Sequence, residues 1–134
     1  SPAFRYKPLE KKLVFNELYI DWHEDVIIVE GIFDAIKAGN GIPILGSTLR
    51  DGGKLFKAIV GSGAKVFLAL DDDANDKADR IIQSLMSYGV EVSKIDTSGY
   101  EDIAEMPTDK FEERKRGAVF MTSDNHLLER LASI

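Results

Sequence analysis

The sequence predicts an α/β domain of Rossmann-like type: a mainly parallel, four-stranded central sheet flanked by helices. Three observations lead there. Residues 26–29 (VIIV) form a continuous β-branched run, the pattern of a strand buried on both faces, and KVFLAL (65–70) reads as a second such strand. Between 74 and 86, Ala74, Ala78, Ile81, Ile82, Leu85 and Met86 fall at i, i+4, i+7, i+8, i+11 and i+12, one apolar helical stripe. Strand-like and helix-like segments then alternate, which implies right-handed crossovers and parallel pairing.

Taken in order, residues 1–12 (SPAFRYKPLEKK) are polar and basic with two prolines, and read as an arm or linker of a longer protein. Residues 13–21 read as extended and 22–25 as a turn before the strand at 26–29. A short helix is expected over 32–38, stopped by Gly39-Asn40-Gly41. Residues 42–45 read as a short strand; Pro43 lacks a ladder donor and places it at an edge or a strand start. A helix over 52–61 is bounded by glycines, the strand at 65–70 follows, and the striped helix of 74–88 ends at Gly89. Residues 90–96 form the fourth strand, and helices over 108–116 and 123–134 close the chain, the last capped by Thr122 or Ser123. The core is expected over 13–106, with 107–134 as a helical extension of the same domain.

Composition narrows the function. The 134 residues are 44% hydrophobic and 30% charged, an ordinary globular balance. There is no cysteine, which excludes a disulfide framework, a zinc ribbon and a thiol nucleophile, and two histidines make a poor metal cluster. No apolar run approaches the roughly 20 residues of a membrane helix, and no signal peptide opens the chain. The expectation is a cytoplasmic protein with no membrane segment. Seventeen basic against 23 acidic residues give a net charge of −6, which argues against bulk electrostatic binding of nucleic acid. An acidic surplus gathered in one place suits divalent cations instead.

Ligands of open parallel sheets bind beyond the carboxyl ends of the strands. The first buried strand ends in Glu30-Gly31-Ile32-Phe33-Asp34, with two acids four residues apart across a glycine turn. The second ends in Asp71-Asp72-Asp73, with 71 and 73 on one side of an extended segment. Two such carboxylates about 6 Å apart repel by about 3 kcal/mol at an effective dielectric of about 20, and an N-cap needs only one acid. The fourth strand runs into Glu101-Asp102. Acids from three strand ends meet on one rim, a pattern suited to metal-assisted phosphoryl transfer.

The blocks VIIVEGIFDA (26–35), ILGSTL (44–49), FLALDDDA (67–74) and GYEDIAEM (99–106) together resemble a Toprim domain, the module shared by DnaG-type primases, type IA and II topoisomerases, OLD-family nucleases and RecR-like proteins. The resemblance covers residues 18–106, two-thirds of the chain, and is nearest to primase-like proteins of tailed phages. It implies that Glu30 is the general acid or base, that Asp71 and Asp73 hold magnesium (with manganese as a substitute), and that Asp34 and Asp102 support the metal. Gly31, Gly46, Ser47 and Thr48 are implied in phosphate or nucleotide binding. The implied activity is RNA primer synthesis on a single-stranded DNA template from nucleoside triphosphates, in the host cytoplasm if the protein is phage-encoded. Zinc-binding and helicase domains of a larger protein are the implied partners. Two departures stand out. Ala74-Asn75-Asp76-Lys77 lacks the glycine that often follows the DxD pair, and Glu101-Asp102-Ile103 replaces a Lys-Asp-Pro-like triplet. The alternatives are a Toprim nuclease using the same residues to cut, and a non-catalytic replication or recombination module. Lys54, Lys57 and Lys77 read as solvated helix lysines, and Arg114-Lys115-Arg116 as part of a helix of mixed charge.

Overall fold

A computed structural model of the chain describes residues 19–45, 49 and 53–132. Strand β1 (Val26–Val29) is buried along its whole length. Helix α1 (Ile32–Ala38) starts from Gly31 in an extended conformation and stops at Gly39, whose φ of 92° suits glycine. Strand β2 (Gly41–Pro43), helix α2 (Lys54–Ser62), strand β3 (Val66–Ala69), helix α3 (Asn75–Ser87) and strand β4 (Val92–Lys94) follow. A 3₁₀ turn (Ile103–Glu105), helix α4 (Thr108–Arg116), strand β5 (Val119–Phe120) and helix α5 (Ser123–Ala132) complete the order.

The sheet runs β2-β1-β3-β4-β5. The four strands expected from the sequence are parallel, with Val29 opposite both Pro43 and Ala69, and Leu68 opposite Lys94. The fifth strand was not expected. It is antiparallel, setting Ser93 against Phe120 and Lys94 against Val119. Both of its residues are exposed, so it carries no buried run to betray it, and pairing with β4 defines it. Pro43 lies in β2 at the end of the sheet, where a missing N–H disturbs no further strand.

Alternation along β1 shows why both faces are covered. Val26 and Ile28 pack with Phe56, Ile59, Ile81, Ile82 and Leu85, on the side of α2 and α3. Ile27 and Val29 pack with Ala35, Ile103, Met106 and Phe111, on the side of α1 and α4. On the α3 stripe, Ala78, Ile81, Ile82 and Leu85 are buried, and Ala74 and Met86 pack partly buried against the same core.

The strand expected at 26–29 and the helices expected at 32–38 and 108–116 have those bounds, and the ends of the other elements differ by at most two residues. Most of the extended segment at 13–21 and the Gly46-Ser47-Thr48 loop lie outside the described residues. No helix among the described residues is long and apolar enough to cross a membrane.

Candidate active site

Parallel pairing brings the carboxyl ends of β1 and β3 to one edge of the sheet. Val29 and Ala69 are in register, so Glu30 leaves one residue past the pair and Asp71 two. Glu30, Asp71 and Asp73 line one open cleft of about 610 Å³, together with the start of α3. Asp71 also lines a smaller hollow of about 220 Å³ on the side of β4, beside Asp72 and Thr97. There the Thr97 hydroxyl donates to the Leu70 carbonyl at 2.9 Å and lies 3.4 Å from Asp72 Oδ1.

Asp71 reports the electrostatics of the rim. Its carboxyl is pushed up from 3.8 to about 6, first by burial and then by the charges of Asp34, Glu30, Asp102 and Asp73. The acids that the sequence placed on three strand ends therefore act on one another. Removing this mutual repulsion requires a proton or a cation.

Asp34 plays a different part. It is 6% exposed, and each of its oxygens accepts a backbone N–H: Oδ2 from Gly31 at 3.1 Å and Oδ1 from Ala104 at 3.0 Å. One bond closes the first turn of α1, and the other ties that turn to the 3₁₀ turn 70 residues away. Burial raises its pKa, opposed by the two N–H donors. Asp102 caps the 3₁₀ turn through Oδ1, which accepts the Glu105 N–H at 3.1 Å. Gly31 sits between Glu30 and α1, and its N–H is committed to Asp34.

Lys77 was read from sequence as a solvated lysine, and the structure overturns this. Its Nζ donates to Glu30 Oε2 at 2.9 Å, and its side chain is 18% exposed. The partners are 47 residues apart, and no local pattern pairs them. Lys54 and Lys57 are exposed as expected. In the 114–116 run, Arg114 pairs with Asp96 at 3.6 Å and lies over the Tyr100 ring, while Lys115 lies over Phe67. These two cations fasten α4 to the sheet. Asp96 is held below the usual carboxylate range by the Ser98 N–H and hydroxyl and by Arg114.

Crystallographic work on the primase of Aquifex aeolicus, covering its zinc-binding and RNA polymerase domains, supplies a structural neighbour. The two align with a TM-score of 0.62 at 22% sequence identity over 80% of this chain. This chain has a primase-like fold. It spans 30% of that neighbour's length. No protein-family model and no curated protein matches the sequence.

Among the described residues, no three His, Cys, Asp or Glu side chains are gathered tightly enough to cage a metal unaided. Magnesium does not need such a cage. It retains several waters and commonly takes one or two carboxylates plus substrate phosphates. An all-oxygen donor set, an open cleft and a carboxyl raised by burial and by its acidic neighbours fit that style of binding.

Proposed function

We propose that this chain is the Toprim-type, magnesium-dependent catalytic part of a phage-type primase, which with other domains makes RNA primers on single-stranded DNA. The observation that carries this reading is Asp71, whose carboxyl is raised to about 6 by burial and four converging acids at the edge of a primase-like sheet. Asp71 and Asp73 hold the cation on the cleft side. Magnesium bound there supplies charge neutralisation for the transferred phosphate and acidifies the attacking 3′ hydroxyl. Glu30, within reach of the same cleft, receives or returns the proton, and Lys77 fixes its carboxylate at Oε2. Asp34, with each oxygen accepting one backbone N–H, braces the rim. Asp102 sets the 3₁₀ turn beside it.

The test is a manganese titration of the isotope-labelled chain by NMR, with and without a nucleoside triphosphate, reversed by EDTA and competed by magnesium. Broadening confined to Glu30, Asp71–Asp73 and their neighbours is expected. No broadening up to roughly 10 mM in either condition contradicts the proposal and leaves a non-catalytic module. With the remaining domains of the full protein restored, strands that grow support synthesis, and strands that shorten assign the site to a nuclease.

A further inference from the structure

The cleft of Glu30, Asp71 and Asp73 has a wall of opposite charge. Lys77 and Arg80, both on α3, line the same space. They are three residues apart, so they are neighbours on one helix face, with Cβ atoms about 5–6 Å apart. Lys77 is fixed on Glu30. Arg80 is exposed and its side chain, among the described residues, makes no hydrogen bond or ion pair, although Asp76 stands one turn before it and also lines the cleft. In a chain of net charge −6, Lys77 and Arg80 are two cations on one helical turn that line an otherwise acidic cleft, beside Asp76 of the same turn.

We propose that Lys77 and Arg80 are the phosphate-holding side of the cleft and take two neighbouring phosphates of a nucleoside triphosphate. The inference rests on the reading of Asp71 and Asp73 as the metal side. The chemistry of the two heads suits the division. An ammonium has three donors, so Lys77 keeps Glu30 and still reaches a phosphate oxygen. A guanidinium offers a planar fork that grips phosphate at two points. A free triphosphate fits better than a nucleic-acid backbone. The two cations span one helical turn, and a strand running past them meets Asp71, Asp73 and Asp76.

The test is calorimetric titration of the whole chain with ATP at saturating manganese. Manganese alone is followed by water-proton relaxation, and a short single-stranded oligonucleotide serves as a second anion. The variants are Lys77→Met, Arg80→Met and Lys77→Arg, each checked for an unchanged melting profile. Loss of either charge is expected to weaken manganese–ATP about tenfold, with Lys77→Arg recovering most of it and manganese alone still bound by all. Arg80→Met keeps the test alive if Lys77→Met unfolds, since Arg80 is exposed. Affinity for manganese–ATP within about twofold of wild type in both Met variants overturns the inference and leaves the metal reading standing. Weakening of the oligonucleotide alone overturns the triphosphate assignment. A wild-type chain that binds neither manganese nor its ATP complex removes the metal reading and the inference together.

Discussion

Two aspartates on the same rim are expected to respond oppositely to the same substitution. Asp34 accepts two backbone N–H groups while 6% exposed. Asp34→Asn turns an amide group toward one of those donors and is expected to cost about 1–3 kcal/mol. Asp71 makes the reverse case. Its folded pKa lies above its ordinary value, so its stabilising contribution is fully present below about 4 and is lost as pH rises to about 6. Metal-free Asp71→Asn is therefore expected to melt above the wild type at pH 7, with the gap closing toward pH 4. Melting curves of both variants at the two pH values check this. A destabilised Asp71→Asn at pH 7 contradicts the electrostatic account of the rim. The acids themselves were legible, because each follows a strongly apolar strand. The division of labour between them was not, since Asp34's partner Ala104 is 70 residues away. Lys77 was missed for the same reason.

At the scale of elements, chain punctuation was the most readable signal. Gly39-Asn40-Gly41 ends α1 where expected. Gly41 does more than end a helix. A Cβ there meets the Ala35 Cα at 2.7 Å and its carbonyl oxygen at 2.8 Å, so β2 lies against α1 at a distance that only glycine permits. Gly41→Ala is expected to cost about 1–3 kcal/mol through backbone displacement, read as a lowered melting temperature. A melting temperature equal to wild type contradicts this packing. The 3₁₀ turn was not foreseen. Its two side-chain ties come from Asp34 and Asp102, and only the second is local in sequence. The two-residue β5 left no periodic trace, since a strand of that length has no pattern to repeat.

For the molecule as a whole, parallel order is what makes a site. Strands that alternate inward and outward residues build two packed layers, one with α2 and α3 and one with α1 and α4. Because β1 to β4 point the same way, whatever follows them arrives on a single edge. That is why segments separated by some 40 residues in sequence, at Glu30 and Asp71, face a common cleft. The fold class followed from buried runs and a helical stripe, and the primase-like fold found over 80% of the chain agrees with it. Which cations stand opposite the acids is a property of the assembled edge and needed the structure. The central claim is that this edge gathers acids around one carboxyl so that a cation is favoured there. Its most direct test is the titration of the Asp71 side-chain carbon by NMR, without and with magnesium. A midpoint of about 6 is expected in the absence of metal, with a clear downward shift when magnesium is added. A midpoint near the ordinary 3.8, unmoved by magnesium, contradicts it.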